Sequence, residues 1–507
     1  MFKRGMEKEA TIAALLVLNK TQCRPPLPNA EVVSIVESVS GYEPTSDAPA
    51  LGHFRLTDYG NAERLVSRYG GQLRFSYERE KWLVWDQHRW QWDHGDRIAT
   101  MAKSTVRGIY NEAADETSND TRQQLAHHAR QSESDQRLAA TIKLAQSEWG
   151  IPVRLSELDA DPWFFNCFNG TVDLRTGLLL PHRKEDLITA MVDVPFDLDA
   201  KCPIWMTFLD RVTGGSEELA SYLQRAVGYS LTGVTKLQIL FFLYGTGSNG
   251  KTTFMNAVRR ITGPYGDSAS AELFMAKERG GGSGPKEGLA NLMGKRFVVA
   301  SELEEGKRLA TGVIKDMTGG ETVKADRKYE HEIEYQPQFK LWLVGNHKPA
   351  VTDTTLSTWR RVKLIPFTVT IPDDEVDPDL PSKLEAELPG ILAWTVRGCL
   401  DWQQFGLQEP ELVTTATAGY RAYEDRLGEF IEDLCVLVPT SSIAKATLKE
   451  KYEEWCHQNG YDAMKQRSFR AGLIEKGITE GKTGSTRYWR GITLKETPKW
   501  DMSRLSA

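Results

Sequence analysis

The sequence predicts an α/β protein, with an α+β region ahead of the sheet and short helices with a β-hairpin behind it. Three features carry this. Between about 236 and 367, strand-like apolar runs alternate with helical patterns. One run, "LQILFFLY" (Leu237–Tyr244), enters the glycine turn "GTGSNGKT", which opens straight into a helical pattern. Two more strands, Arg296–Ser301 and the buried-type "FKLWLVG", end beside polar residues.

The chain has 507 residues, material for about three domains. Hydrophobic residues make up 40% and charged ones 26%, as in an ordinary globular protein. Net charge is −6, so nucleic-acid binding has to rest on local basic surfaces. The cysteines (Cys23, Cys167, Cys202, Cys399, Cys435, Cys456) form no CxxC pair and read as reduced, mostly buried thiols. The opening "MFKRGMEKEATIAALLVLN" has too short an apolar run, and no cleavage site, for a secretory signal. No run approaches the ~20 residues of a membrane span, so a cytoplasmic protein without membrane contact is expected.

Residues 10–42 read as two short helices separated by "RPPLP". From Gly71 to Asp93, aromatic and polar residues alternate as in a small antiparallel sheet. Its Trp82, Trp85, Trp90 and Trp92 are expected to pack a core rather than stack on bases. Residues 98–149 favour helix, with "NEAADETSNDTRQQ" an exposed connection. Asp159 and Asp161 have the spacing of a metal-binding carboxylate pair, but a lone DxD reads first as a turn and helix cap. "DPWFFNCFNGTVDLRTG" is strand, turn, strand. "RGGGSGPKEG" is a flexible loop, helices resume at "PSKLEAELPGILAWTVRGCLDW", and "GITEGKTGSTRYWRGITL" forms two strands.

The glycine turn fits G-x-x-x-x-G-K-[ST] at Gly245, Gly250, Lys251 and Thr252. Glycines let backbone N–H groups converge on phosphate oxygens. Thr246, Gly247, Ser248, Asn249 and Thr253 complete the loop. Lys251 would stand between the β- and γ-phosphates, Thr252 would offer its hydroxyl to Mg²⁺, and the following helix aims its positive end at the same place. ATP and Mg²⁺ are the expected cofactors.

Such a loop serves kinases, GTPases, transporters and motors alike, so the next hundred residues decide. Glu302 ends the strand Arg296–Ser301, where a carboxylate can hold Mg²⁺ or polarise water; Glu304 and Glu305 leave the assignment open. Asn346 ends "FKLWLVG", where an amide can orient the lytic water. Arg360 and Arg361 precede another strand, and either can serve a neighbouring subunit as an arginine finger, worth ~10³–10⁵ in rate. "TVKADRKYEHEIEYQP" reads as a hairpin carrying Lys324, Arg327, Lys328, Tyr329 and His331, basic and aromatic groups suited to a nucleic-acid backbone. From residue 436 on, 13 Lys/Arg face 8 Asp/Glu, a basic end on an acidic chain. There "QRSFRAGLIEKG" reads as a recognition helix presenting Lys465, Arg467 and Arg470, followed by a wing with Lys482, Arg487 and Arg490.

In order and spacing, the glycine loop, "VVASELEEGKR", "MTGGETVKADRKYE", "FKLWLVGNHKP" and "WRRVKLIPF" resemble the superfamily 3 helicase domain of phage and plasmid primase–helicases. The poxvirus primase–helicase is a more distant relative. "LTDYGNAERLVSRYG", "DPWFFNCFNGTVDLRTGLLLPHRKEDLIT", "KCPIWMTFL" and "YEEWCHQNGYDAMKQRSFRAGLIEKGI" extend the likeness almost end to end.

The resemblance implies an AAA+-type ATPase core and a C-terminal winged-helix-like domain, in a hexameric ring translocating 3′ to 5′ on single-stranded or forked DNA in a bacterial host. It maps Walker A onto Gly245, Gly250, Lys251 and Thr252, Walker B onto the strand ending at Glu302, and sensor 1 onto Asn346. The finger falls within Arg360/Arg361, and the DNA-gripping hairpin around Arg327 and Lys328. It also implies domains at 1–45 (helical linker), 46–225 (collar), 226–375 (ATPase core), 376–430 (helical closing segment) and 431–507. Full-length relatives in that family carry a priming polymerase module at the amino end, whereas this sequence opens in what resembles their helical linker. Either the module has been cut away or this is a helicase-only form, so primer synthesis by this chain alone is not expected and a separate primase or polymerase is an expected partner. A DNA-gated ATPase switch that never translocates shares every ATPase residue, so strand displacement separates the two. The flanking domains, Asn346 and the paired arginines argue against a nucleotide kinase.

Overall fold

The computed structural model describes residues 54–276, 286–301, 303, 305–325, 333–351, 353, 355–461, 463–483 and 486–495. These form two compact units, the described residues up to 84 with 92–154, and 85–91 with 155 onwards. The boundary near 155 divides the stretch 46–225 that the resemblance groups as one domain. The predicted helices at 10–42 lie outside the described residues, as does most of "RGGGSGPKEG".

In the first unit, helix α1 (Asp58–Tyr69) starts at Thr57, whose hydroxyl accepts the Gly60 N–H at 3.1 Å. Strands β1 (Leu73–Ser76) and β2 (Lys81–Trp85) pair antiparallel with Phe75 opposite Trp82. Both rings join Leu65, Ile98 and Ala102 in a core shared with α2 (Arg97–Asp115) and α4 (Asp135–Ala145), while Leu125 and Ala129 of α3 (Asn119–Ser132) pack with Ile109 and Ala113 of α2 in a separate cluster. The expected exposed connection shrinks to residues 116–118 between α2 and α3. Ser118, Asn119 and Asp120 stand at the start of α3, where Ser118 Oγ accepts the Thr121 N–H, while Asn111 and Asp115 belong to α2. Trp82 is buried in this core, and Trp90, in the second unit, is buried with its indole N–H donating to the Lys184 carbonyl. Packing is the role of both.

The second unit opens with a three-stranded sheet, β3 (Phe164–Cys167), β4 (Gly170–Asp173) and β5 (Leu178–Leu180), with Cys167 opposite Gly170 across the tight turn. Helices α5 (Pro203–Thr213) and α6 (Glu217–Leu231) follow. The central sheet holds β6 (Leu240–Tyr244), β7 (Gly266–Ser270), β8 (Phe297–Ser301), β11 (Lys340–Gly345) and β12 (Val362–Pro366) in the order β12-β6-β11-β8-β7, every neighbour parallel. Both faces are covered, which explains the unbroken apolar runs. Phe241 and Leu243 point into a core with Trp205, Tyr222, Trp342 and Trp394, on the side of α5, α6, α7 (Lys251–Thr262) and α10 (Leu388–Phe405). Leu240 and Phe242 point the other way, among residues of α8 (Thr311–Gly319) and α11 (Glu411–Glu424). The expected hairpin is present as β9 (Val323–Ala325) and β10 (Ile333–Tyr335), Val323 opposite Tyr335.

Two buried basic side chains brace the amino end of this sheet, and burial drives the Lys340 ammonium well below its ordinary pKa. Arg296 donates to the carbonyls of Phe164 (2.8 Å) and Leu231 (3.1 Å), and its guanidinium lies 4.6 Å from the Tyr265 ring. Lys340 donates to the carbonyls of Thr232, Val234 and Gln338. Positive charge at the end of α6 complements its dipole. A third core, with Phe430, Tyr452, Trp455, Phe469, Leu473 and Trp489, closes the C-terminal part. There α12 (Lys445–Gln458) and α13 (Gln466–Glu475) pack with β13 (Ser442–Ala444), β14 (Thr479–Thr483) and β15 (Thr486–Arg490), in sheet order β13-β15-β14.

The five described cysteines are free and buried, as the sequence predicted, and burial raises each thiol pKa. Among the described residues no helix is long and apolar enough to cross a membrane.

Candidate functional site

The glycine loop leaves the carboxyl end of β6 and turns into α7, and its geometry explains its residues. Gly250 sits at φ 80°, where a Cβ would meet Val212 Cγ1 of α5 at 2.4 Å. At Gly245 a Cβ would meet the Phe367 carbonyl oxygen at 2.2 Å. The loop is tied down on its other side, where Asn249 Nδ2 donates to Phe367 O (3.2 Å) and the Ile371 N–H donates to Ser248 O (2.6 Å).

Lys251 is buried at the first turn of α7. Its ammonium donates to Gly245 O (2.7 Å), Asn249 Oδ1 (2.9 Å) and Asn346 Oδ1 (3.1 Å). Burial lowers its pKa. Asn346 arrives there by register: Gly345 of β11 pairs with Tyr244 of β6, so Asn346 and Gly245 leave neighbouring parallel strands at one level. Thr252 is exposed at the start of α7. These groups fit a nucleoside triphosphate, with an ammonium held only by exchangeable oxygen acceptors and N–H groups at a helix start.

Strand β8, on the far side of β11, ends at Ser301; Glu302 and Glu304 lie outside the described residues, and Glu305 is exposed. Arg360 and Arg361 stand at the opposite end of the sheet. Val362 pairs with Leu240 and Pro366 with Tyr244, so about five residues at ~3.3 Å, on the order of 16 Å, separate the arginines from their own loop. The two differ. Arg361 is buried and donates to Thr318 Oγ1 (3.1 Å) and the Ser357 carbonyl; burial, then the neighbouring Arg360, lowers its pKa. Arg360 is exposed, with one contact to Gln238 Oε1 at 3.3 Å.

Of the predicted DNA contacts, Lys324 is exposed and paired with Glu334 (2.6 Å) across the hairpin, and Arg327 and Lys328 lie outside the described residues. Lys465 and Arg467 are exposed at the start of α13, and Arg487 is exposed opposite Lys482 on the wing. Arg470 is not free: it grips Glu480 of β14 at 2.7 and 2.9 Å, and with Lys445 it holds that carboxyl at about 2. Asp159 accepts the N–H groups of Thr189 (2.8 Å) and Ala190, while Asp161 pairs with Arg175 (2.7 Å), so both carboxylates tie distant segments together. Sequence reasoning missed the support under the loop, Phe208, Val212 and Phe367, which carries no local signal.

Segments of the chain match families described as "Primase C terminal 1 (PriCT-1)" over residues 1–45, "D5 N terminal like" over 62–214, "Family of unknown function (DUF5906)" over 243–361, and "Poxvirus D5 protein-like" over 423–489. A protein of Acanthamoeba polyphaga mimivirus named "Putative helicase L207/L206" is 26% identical over 61% of this chain and 34% of its own length. "Putative helicase 022R" of Frog virus 3 is 26% identical over 44% of the chain and 25% of its own. "Putative primase C962R" of African swine fever virus is 24% identical over 35% and 16%. The chain thus matches between 16% and 34% of the length of these relatives. Among solved structures, the apo NrS-1 C-terminal region is similar at 11% identity, covering 83% of this chain and 96% of that one with a TM-score of 0.45.

Proposed function

Because the chain is a member of the primase–helicase family, we propose that it is an ATP-dependent DNA helicase for replication of a phage, plasmid or other mobile element. The observation that carries the reading is the meeting of Lys251 and Asn346 at 3.1 Å, which joins the phosphate loop to a second strand end. A γ-phosphate arriving there would take over the Lys251 ammonium and release the amide of Asn346 to orient a water. Thr252 and the acid at the end of β8 would hold Mg²⁺, which supplies charge neutralisation at the phosphates.

The position of the arginines supports a ring. An arginine some 16 Å from its own phosphate loop would act in another copy's site, with ATP bound between subunits of a hexamer. Of the two, Arg360 is the finger, because Arg361 is buried in bonds of its own. The hairpin around Lys324, Arg327 and Lys328 would follow single-stranded DNA through the ring 3′ to 5′, and Lys465, Arg467 and Arg487 would hold the fork.

The test is displacement of a labelled strand from forks with a 3′ or a 5′ tail, with ATP and Mg²⁺. Unwinding of the 3′-tailed fork alone, abolished in Lys251→Ala, supports the helicase. DNA-stimulated hydrolysis without displacement on either fork replaces it with a DNA-gated switch. Arg360→Ala should bind ATP and hydrolyse it poorly, and mixing it with Lys251→Ala should restore some turnover. No recovery at any mixing ratio rules out the trans finger.

A further inference from the structure

The four-residue helix that ends at Arg360, α9 (Leu356–Trp359), is too short to hold its own shape. Its position is set from outside by three ties. The Trp359 ring meets Tyr420 of α11 edge-on, centroids 5.1 Å apart. Asp353, itself bonded to Lys315 of α8 at 2.5 Å, accepts the Thr358 hydroxyl at 2.9 Å. The third tie comes from the C-terminal domain: Glu475 Oε1 accepts the Leu356 N–H at 3.0 Å, the first donor of the turn. Arg421 of α11 stands 3.7 Å from the same oxygen.

Glu475 is the last residue of α13, the helix whose start exposes Lys465 and Arg467. We propose that Glu475 is a positioning residue that couples this helix to the arginine finger: a shift of α13 on DNA moves the carboxylate capping α9, and Arg360, at the other end of that single turn, moves with it. The inference rests on Arg360 acting as the finger. It gives the basic C-terminal domain a task beyond adding affinity, since the state of α13 would set the rate at which a neighbouring copy turns over ATP.

The donor and the acceptor can be removed separately. Glu475→Ala deletes the acceptor, whereas Glu475→Gln keeps an amide oxygen that can accept the same N–H. Leu356→Pro deletes the donor and changes besides only a side chain that is 60% exposed: proline is accepted at the first position of a helix, and Thr355 already has φ −64° and ψ 151°, the conformation favoured before proline. Steady-state ATP hydrolysis is measured on saturating single-stranded DNA. Glu475→Ala and Leu356→Pro are each expected to lower kcat roughly tenfold, about the loss of one charge-assisted hydrogen bond, with KM for ATP within about twofold of the parent. Glu475→Gln should keep at least half the parent kcat, and Glu475→Ala combined with Arg360→Ala should be no slower than Arg360→Ala alone.

A kcat for both Glu475→Ala and Leu356→Pro near the parent's overturns the coupling. So does a Gln variant as slow as the Ala variant, or a double mutant whose losses multiply. Should Glu475→Ala not fold, Leu356→Pro carries the same comparison. Parent-like kcat in Arg360→Ala removes the finger reading and the coupling with it; slow Arg360→Ala beside normal Glu475→Ala and Leu356→Pro removes the coupling alone.

Discussion

Replacing Gly250 with alanine is expected to cost about 2–5 kcal/mol of stability, and the sum can be built from two parts. The residue sits at φ 80°, where an L side chain costs ~1–2 kcal/mol. Its new methyl would lie 2.4 Å from Val212 Cγ1 and 3.1 Å from Phe208 Cε2, both buried groups of α5, so the helix has to give way; overpacking of this kind costs ~1–3 kcal/mol. At ~2–4 °C per kcal/mol for a domain of this size, the melting temperature should fall on the order of 10 °C. The two parts are separable by thermal unfolding of a small set of variants. Gly247→Ala has a positive φ of 115° but nothing within 4 Å, so it carries backbone strain without overlap. Val212→Ala removes the atom that Gly250→Ala strikes, so the double mutant should recover ~1–2 kcal/mol relative to the sum of the singles. A Gly250→Ala protein no less stable than Gly247→Ala, or strict additivity with Val212→Ala, would refute the claim that α5 packs against this glycine.

Burial pushes the Asp353 carboxyl up, but hydrogen bonds from Lys315, Thr355 and Thr358 outweigh it and hold the group at about 2, below its ordinary 3.8. A depressed carboxylate contributes stability that is complete above its unfolded value and is lost as pH falls through the folded one. The parent melting temperature should therefore drop more steeply between pH 4 and pH 2 than that of Asp353→Asn; parallel curves would contradict the bonding. Asp159→Ala strips the N–H groups of Thr189 and Ala190 of a charged acceptor and should destabilise by about 2–4 kcal/mol. Turnover per folded molecule should stay at the parent level, whereas a catalytic Asp159/Asp161 pair would lose turnover without a change in melting.

Local chemistry made the phosphate loop legible. A glycine that must adopt positive φ, a lysine at the first helical position and a strand before it are all written within about twenty residues, and the structure puts Lys251 and Asn346 in contact. The central strands were equally plain, because a parallel sheet covered on both faces leaves runs such as "KLWLVG" with every residue buried. Reading failed where polar residues have two uses. In "NEAADETSNDTRQQ" Ser118, Asn119 and Asp120, which suggested a solvated connection, serve as helix-start groups. Composition alone does not separate the two, since a cap is a matter of which N–H lies within reach.

What stayed out of view was long-range partnership. Arg470 looked like a base-reading cation on the outer face of a recognition helix, and spacing along that helix gives no warning that Glu480, ten residues on in the wing, occupies it. Likewise Arg360 and Arg361 are indistinguishable as neighbours in "STWRRVKL". The sheet edge separates them, turning one inward to Thr318 and Ser357 and leaving the other exposed. Glu475 and Leu356 lie 119 positions apart, and their bond exists only because the C-terminal domain folds back onto the turn before β12. The chemistry of a nucleotide site is therefore written locally, in residues that must touch one ligand. How Arg360 and Arg361 differ, and what holds the turn beside them, is written in contacts between segments that sequence order keeps apart. If the proposed helicase reading holds, a shift of DNA on α13 would have to be answered at Arg360, and that response would belong to this second, non-local kind.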